Sequence, residues 1–488
     1  TWEYMTEPLS EHTRAPRLTH TRDVVICTLS LALLLATTTL MNATVFPLFD
    51  PIFTYTRDIS VTCGAVALIL LGLAAYRLPH LLTPRSFAAG AFAFLIVGDV
   101  ALTLGLLSKT TALIIIGASV SSVGRAGATV LIGLALSRLT QAGATIAICV
   151  AFIAQFVLGE GLINLPLAIP YVAFCIYPLT TAALSIKRGL PLIELAHHSE
   201  APHDLAVVRP ASFLAPFSAL FVCLFLFQLA FGFSLRFGEV AGTPQYSVVC
   251  IIPPVLLAGY VLISRKRYPA DLMVEVSALF IIAGFLLVAG NVLEHSKGAV
   301  SLLSIGNTLF SMTAWLALVA ISARNPVGAT TTMAWGRGVS SLGTLVGAAA
   351  AVRANAAIAA ETSLEFVIAG VLLMAFAAYV IIGLKHFGFS EVIEGVQPLP
   401  EQTEVRTTAE LFQAQCEAIA QTYHLTPREA EVFAMLAKGR NREYIESELV
   451  VSRNTVKAHV KHIYTKLGIH SHQQLLDLME STSPDALQ

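Results

Sequence analysis

The residues with the clearest chemical potential are two lysines in a basic stretch near the carboxyl terminus. Lys457 and Lys461 are four residues apart, so a helix would place both ammonium groups on one face, with Ala458 beside them. Ammonium groups donate hydrogen bonds to guanine acceptors or phosphate oxygens, and a small alanine permits close approach. This arrangement indicates contact with the major groove of double-stranded DNA.

Four short helices between residues 425 and 478 must position these lysines. Their predicted boundaries carry the residue types that start and stop helices, including two capping boxes, a proline at a first helical position and two glycine stops. These residues are Thr426, Pro427, Glu429 and Gly439 for the first helix, Asn441 and Leu449 for the second, Ser452 and Gly468 for the third, and Ser471 and Gln474 for the start of the fourth.

The third of these helices is predicted to be amphipathic. Apolar residues recur at helical spacing and predict a buried stripe of Val456, Val460, Ile463 and Leu467. The opposite face carries Asn454, Lys457, Ala458 and Lys461. Between residues 438 and 467 seven Lys or Arg stand against three Glu, a basic balance that suits a nucleic-acid surface. Taken alone, the same residues also fit a solvated helical bundle with scattered charges.

The segments L-T-P-R-E-x-E-V, A-K-G-R-N and S-R-N-T-V-K-A-H-V-K-H-I-Y-x-K-L-G-I closely resemble the carboxyl-terminal DNA-binding domain of the LuxR family, also called the NarL or GerE type. The resemblance implies that base edges are contacted by Lys457, Ala458 and Lys461. It implies that the DNA backbone is approached by Asn454, Thr455 and His459. The last helix, from Ser471, resembles the family's dimerisation helix, so a homodimer on promoter DNA is expected.

The chain departs from the family pattern at Glu446 and Ser447, where the first helix of the motif usually has Ala and then Glu. A carboxylate at Glu446 would face the recognition helix. Because a buried charge without a partner is costly, we expect altered packing at this position.

Composition predicts that the rest of the chain is a membrane domain. Of 488 residues, 56% are hydrophobic and 12% are charged, a charged share well below that of soluble domains. About twelve apolar runs are long enough to cross a bilayer. The predicted spans are 24–45, 60–76, 87–107, 112–136, 142–158, 166–185, 211–234, 246–264, 273–292, 299–322, 328–351 and 364–384.

The polar segment 187–210 is predicted to be a loop that divides the spans six and six. With a cytoplasmic amino terminus, the inside segments hold fourteen Lys or Arg and the outside segments five. The positive-inside rule then places both termini in the cytoplasm. The resemblance to the LuxR family implies a bacterial cytoplasmic membrane. The first span is long, lacks a clear cleavage site and is followed by further spans, so we do not expect a cleaved signal.

Six plus six spans resemble the architecture of the major facilitator superfamily of transporters. The loop R-L-P-H-L-L-T-P-R between the second and third spans lacks the G-x-x-x-D-R-x-G-R-R-type signature common there. Ionisable groups inside a bilayer point to a functional site. The candidates are Asp99, Arg125 and Arg337, with Trp315 and Trp335 available to stack on a planar ligand. Two arginines against one aspartate favour an anionic or phenolic small molecule; the alternative is an Asp–Arg pair that only holds helices together.

These features predict an all-α chain with three parts: a polytopic domain over 1–386, an acidic linker over 387–423 and a LuxR-type domain over 424–488. The linker's apolar stripe of Leu411, Phe412, Cys416, Ile419 and Tyr423 is expected to pack on the DNA-binding domain. The motifs of P-loop enzymes, zinc proteases and serine hydrolases are missing, and the seven cysteines form no C-x-x-C pair. We expect neither an enzyme nor a cofactor.

The sequence therefore favours a membrane-bound one-component transcription regulator that senses a small molecule and binds promoter DNA. Two alternatives stay open at this point. One is a transporter of the major-facilitator type whose tail regulates its own gene, and the other is an inert anchor for a constitutive DNA-binding domain.

Overall fold

The computed structural model describes residues 18, 20–208, 210–240, 248–264, 269–289, 296–360, 364–385, 387–397, 416–417, 419–449 and 451–481. These residues are almost entirely helical, and they contain no β-strand. The chain divides into two compact units, Thr1–Leu399 and Pro400–Gln488. The predicted all-α class is confirmed.

The described residues of the first unit form twelve principal helices, and each predicted span overlaps one of them. They are α1 (Thr21–Leu40), α2 (Thr56–Arg77), α3 (Pro84–Ser108), α4 (Thr111–Ser137), α5 (Gln141–Gln155), α6 (Ala168–His198), α7 (Ala219–Val240), α8 (Ile252–Ser264), α9 (Ala270–Ala289), α10 (Ser296–Arg324), α11 (Ala329–Ala360) and α12 (Leu364–Ala378). Short π-helical turns follow α1 at Met41–Val45, α5 at Phe156–Glu160 and α12 at Tyr379–Gly383.

Nine of the helical segments that the structure describes are long and apolar enough to cross a membrane. They comprise α1 to α7, α9 and α10, and α8 and α12 are shorter apolar helices. The remaining helix, α11, is long but carries Arg337 and Arg353 within its span. The polar residues of α11 include several that line the cavity described below.

The predicted loop 187–210 is partly helical, because α6 extends to His198. Leu192, Ile193 and Ala196 are buried, so an apolar stripe continues the helix although its other face is polar. Arg188 forms an ion pair with Asp23 of α1, with 2.6 Å between Nη2 and Oδ1. The predicted loop was wrong over residues 187–198, because apolar residues at helical spacing continue α6 although the segment also carries polar residues.

Glycines allow two helix pairs of the membrane unit to approach closely. A Cβ at Gly98 of α3 would collide with the backbone of Ser121 in α4, and a Cβ at Gly232 of α7 would collide with the carbonyl oxygen of Thr344 in α11. Association in lipid depends on such packing, since lipid tails are as apolar as the side chains. These two pairs are the tightest helix contacts around the cavity.

The membrane unit extends past its predicted boundary at 386. Helix α13 (Phe389–Gly395) buries Phe389 and Ile393 in the same core as the membrane helices. Arg324 at the end of α10 donates to the carbonyl oxygen of Glu394 at 3.0 Å. The first part of the predicted linker 387–423 is therefore packed structure, because its aromatic and aliphatic residues outweigh its two glutamates.

The second unit has a hydrophobic core of its own. It contains α14 (Pro427–Ala437), α15 (Arg442–Leu449), α16 (Arg453–Leu467) and α17 (His472–Ser481). The predicted stripe on α16 is confirmed, since its four residues are at most 7% exposed. Cys416 and Ile419 are buried in this core and Tyr423 packs against it, whereas Leu411 and Phe412 lie outside the described residues.

Glu429 ties α14 to α16. Its Oε2 accepts hydrogen bonds from the Thr426 backbone N–H at 2.8 Å and from Lys466 Nζ at 2.7 Å, and Thr426 Oγ1 accepts from the Glu429 backbone, which completes the capping box. The hydrogen bond from Lys466 and those from Thr426 lower the pKa of Glu429 from 4.5 to about 2. His462 Nδ1 is 3.9 Å from the other carboxylate oxygen. The negative charge of Glu429 therefore stabilises the folded domain.

Glu429→Gln in the fragment 409–488 should lower the free energy of unfolding at pH 7 by about 1–2 kcal/mol. Because the folded-state pKa is depressed, the wild-type contribution is present above pH 4.5 and is lost as the pH falls towards 2. Urea unfolding between pH 7 and pH 2 measures it. Glu431→Gln, which removes an exposed carboxylate paired with Arg428, is the control and should change little. Equal pH profiles for wild type and Glu429→Gln would contradict this assignment.

Candidate DNA-binding surface and transmembrane cavity

Helices α15 and α16 are both capped at their amino-terminal ends, and a short connection joins them. Asn441 Oδ1 accepts from the Tyr444 N–H at 2.9 Å at the start of α15, and Ser452 Oγ accepts from the Thr455 N–H at 3.2 Å at the start of α16. Gly468 ends α16 with a left-handed φ of 67°. These local signals fix where α16 begins and ends, and they therefore fix which residues it exposes.

The exposed face of α16 carries the predicted contact residues. Asn454, Thr455, Lys457, Ala458 and Lys461 are exposed, and His459 is partly exposed. Neither Lys457 nor Lys461 forms an ion pair with any residue that the structure describes. The two ammonium groups are available to an external partner.

The exposed face continues to Thr465, which the sequence analysis did not single out. Thr465 is exposed and lies one turn beyond Lys461, so helical spacing from Lys461 identifies it. Arg453 at the first turn is also exposed, and its guanidinium is 3.9 Å from Glu443 of α15. The surface therefore extends along the whole of α16.

A cavity of about 320 Å³ lies in the membrane unit between the first six helices and the last six. Its lining is polar for a transmembrane region. Among the polar lining residues are Asn42, Arg57, Asp58, Ser60, Arg125, Gln155, Gln228, Asn307, Thr308, Ser311, Arg337, Ser341 and Thr344. Three of the five predicted ligand residues, Arg125, Arg337 and Trp315, line this cavity.

Arg125 is held by hydroxyl groups of two helices. Its guanidinium donates to Ser121 Oγ at 2.7 Å, to Ser122 Oγ at 2.8 Å and to Ser60 Oγ at 3.0 Å. Ser121 in turn donates to Asp99 Oδ1 at 2.6 Å. Asp99 therefore lies behind Arg125 and compensates its charge through one hydroxyl, and it does not line the cavity.

Arg337 has a different environment. Its guanidinium carbon is 4.7 Å from the ring centroid of Trp315, and its Nε is buried without a hydrogen-bond acceptor among the described residues. A desolvated cation–π contact contributes about 2 kcal/mol. Removing a charge from water costs several kcal/mol, so the contact with Trp315 does not offset that cost.

Trp335 does not line the cavity, contrary to the expectation that it stacks on a ligand. Its Nε1 donates to the carbonyl oxygen of Pro216 at 3.0 Å, and its backbone packs against Gly72. Trp335 lies two residues before Arg337, a spacing that places them on different faces of α11. Its contacts join α11 to its neighbours.

Two groups of cavity residues were missed from the sequence. Asp58 lines the cavity and pairs with Arg236 of α7 at 3.4 Å, which joins the two halves. Polar residues also recur at helical spacing on α10 (Ser304, Thr308 and Ser311, then Trp315) and on α11 (Arg337, Ser341 and Thr344). A search for polar residues at this spacing within apolar runs identifies both stripes.

The carboxyl-terminal helices match a known family. Residues 423–479 match the model of bacterial regulatory proteins of the luxR family. A 53-residue segment is 43% identical to the oxygen regulatory protein NreC of Staphylococcus aureus. It covers 11% of this chain and 24% of NreC. The unit formed by α14 to α17 is a LuxR-type helix-turn-helix domain. A protein of Mycobacterium tuberculosis named as an HTH-type transcriptional regulator is 42% identical over 53 residues, which are 6% of its length.

The membrane unit is similar to solved transporter structures. A bacterial homologue of the iron transporter ferroportin matches 75% of this chain and 99% of its own with a TM-score of 0.53 at 14% identity. The major facilitator transporter FucP matches 74% of this chain and 98% of its own with a TM-score of 0.49 at 15% identity. The fold of the membrane unit is similar to that of the ferroportin homologue, and at these identities the likeness concerns the fold alone.

Glu446, where the sequence departs from the LuxR family pattern, lies on α15 of the LuxR-type domain. One carboxylate oxygen of Glu446 is buried and has no hydrogen-bond partner among the described residues. The neighbouring Ile445 of α15 is fully buried, so Glu446 lies at the edge of the domain core. Replacement by the family's usual alanine would remove an unsatisfied acceptor.

Lys457→Ala and Lys461→Ala should each weaken promoter binding by the fragment 409–488. Loss of a base contact costs about 1–3 kcal/mol, and loss of a phosphate contact makes the salt dependence shallower. Fluorescence anisotropy with promoter and scrambled duplexes at several salt concentrations measures both effects. Lys438→Ala, which removes the same charge from the end of α14, is the control and should cost less. A folded double variant that binds as tightly and as specifically as wild type would exclude this face.

Proposed function

We propose that this protein is a membrane-bound transcription regulator in which a small molecule in the transmembrane cavity alters promoter binding by the LuxR-type domain. The observation that carries the proposal is the combination in one chain of a DNA-binding domain and a membrane unit with a polar cavity between its halves. Such a chain needs no separate receptor. Its partners are promoter DNA, the lipids of the membrane and the ligand.

The proposed location is the bacterial cytoplasmic membrane, with both termini in the cytoplasm. Fourteen Lys or Arg on the inside segments against five on the outside segments support this orientation. It gives the LuxR-type domain access to the chromosome. We also propose that the domain binds DNA as a homodimer, because α17 corresponds to the helix through which the family pairs.

A ligand can act only through different affinities for two arrangements of the membrane unit. The cavity is lined by residues of both halves, so its occupant contacts both. The ion pair between Asp58 and Arg236 also crosses from one half to the other. An occupant that favours one arrangement of the halves would shift this contact and the position of α12, which leads into α13 and the LuxR-type domain.

Transport is the second candidate function, and the major-facilitator-like fold favours it. The loop between α2 and α3, residues 78–83, contains Leu, Pro, His and Thr and lacks the acidic and basic signature common in those transporters. We therefore place regulation first. Uptake of labelled compounds into vesicles separates the two functions, since a regulator alone would show no accumulation above protein-free vesicles.

Regulation should be visible as a change in transcripts. Deletion of the gene is expected to alter expression of a small set of genes, and the full chain should restore it because both units are present. The full chain with Lys457→Ala and Lys461→Ala should reach the membrane normally and fail to restore it. RNA sequencing together with quantification of membrane protein checks both statements. Full restoration by the double variant would contradict regulation through this surface.

Topology is testable independently. Reporter fusions after Arg138 and Ser199 should score as cytoplasmic, and fusions after Lys109 should score as external, because of the charge asymmetry and the even number of spans. Paired alkaline phosphatase and green fluorescent protein fusions measure this. An external signal for a fusion after Lys385 would contradict the proposed access to DNA.

A further inference from the structure

We infer that the cavity takes a small organic monoanion with a flat apolar body, such as an aromatic carboxylate, and that Arg337 receives its negative charge. The inference rests on the proposed function, because it names the ligand class of the same cavity. It also assigns different roles to Arg125 and Arg337, two of the three arginines that line the cavity.

Arg125 is already satisfied by the protein. Its guanidinium donates to three serine hydroxyls at 2.7–3.0 Å, and Ser121 connects it to Asp99. The side chains of three serines fix its orientation, and the carboxylate of Asp99 compensates its charge through Ser121. A ligand anion would gain little at Arg125, because the hydrogen-bonding capacity of the guanidinium is largely used.

Arg337 is a cavity cation for which the described residues provide no anion. It has no carboxylate partner among the described residues, and its buried Nε has no acceptor. Asp58, the acidic residue of the described cavity lining, is paired with Arg236. A guanidinium offers a planar fork that matches the geometry of a carboxylate. A carboxylate in the cavity would therefore supply the negative charge that no described residue provides to Arg337.

The shape of the site around Arg337 indicates the rest of the ligand. Trp315 is 1% exposed, and its ring centroid is 4.7 Å from the guanidinium carbon of Arg337. The polar stripes of α10 and α11 line the cavity together with polar residues of the first six helices, and apolar side chains also contribute to its wall. Among these are Leu34, Leu35, Leu68, Phe152, Phe231 and Leu235.

An anionic group could come from a soluble acid or from a lipid headgroup, and the size of the cavity favours the soluble acid. The volume of about 320 Å³ lies at the lower end of the range for small-molecule pockets. It accommodates one ring with a short polar group and excludes a two-chain lipid. An inorganic anion would pair with Arg337 but would leave the apolar wall without contacts.

The stability of the unliganded protein tests the role of each arginine without knowledge of the natural ligand. The measurement is thermal unfolding of the full chain, purified in detergent, followed by intrinsic fluorescence. Arg337→Gln should leave the melting temperature unchanged or raise it, because it removes an uncompensated charge. Arg125→Gln should lower it, because Asp99 and three serines lose their partner. A fall in Arg337→Gln as large as that in Arg125→Gln would overturn the inference and leave Arg337 as a structural residue.

Benzoate and its neutral analogue benzamide test the ligand class directly. Benzoate should raise the melting temperature of the wild type in a saturable manner, and Arg337→Gln should weaken its apparent affinity by about tenfold or more. Benzamide should give no shift. An equal benzoate shift in Arg337→Gln, an equal benzamide shift in the wild type, or no benzoate shift at all would overturn the inference. Phosphatidylglycerol added in detergent is the lipid arm, and a shift with lipid alone would assign the charge to a headgroup.

These measurements do not depend on transcription. Failure of the proposed function would appear as normal transcripts in the deletion strain, whereas benzoate binding by the wild type and its loss in Arg337→Gln would still be observed. Conversely, altered transcripts together with no Arg337-dependent shift would keep the regulator and discard the anionic ligand.

Discussion

The constraint on which the first unit depends is that a bilayer core offers no water to hydrogen-bond the backbone. Every N–H and C=O group of a spanning segment must be satisfied within the protein, so each span is a helix. Side-chain hydroxyls obey the same rule, and many bond to the carbonyl oxygen one turn earlier. Thr37, Thr129 and Thr313 each donate to such a carbonyl at 2.8 Å. Polar residues thus become compatible with the hydrocarbon region.

Arg125 and Arg337 show how this constraint distinguishes a structural residue from one that is available to a ligand. Arg125 lies among serines that can turn their hydroxyls towards it, and Asp99 completes the balance. Arg337 lies on a helix whose nearby cavity residues are serine and threonine, and its guanidinium lies over the indole ring of Trp315. A sequence shows both as arginines inside apolar runs. Only the fold shows that Arg125 is linked to a carboxylate through one hydroxyl.

Much of the fold could be predicted from the sequence, because its signals are local. The caps at Thr426 and Ser452, the glycine stops and the stripe on α16 depend on residues within a few turns, and the structure has them where the sequence predicts. The extension of α6 to His198 and the packing of α13 were not predicted, since both depend on partners far along the chain, such as Asp23 and Arg324. The positions of Asp99 and Trp335 behind the cavity wall were missed for the same reason. Which helix face meets the cavity is decided by packing between spans.

The close contact between α7 and α11 has a mechanical consequence. Glycines bring the two backbones so near that no layer of side chains separates the helices, and α7 and α11 must therefore move as one rigid body. Arg337 lies on α11, and Arg236, which pairs with Asp58 of the opposite half, lies on α7. A displacement of Arg337 is therefore transmitted to Arg236 through the two packed backbones. The added methyl group of a Gly232→Ala replacement would separate α7 from α11, and the displacement would then be lost between them.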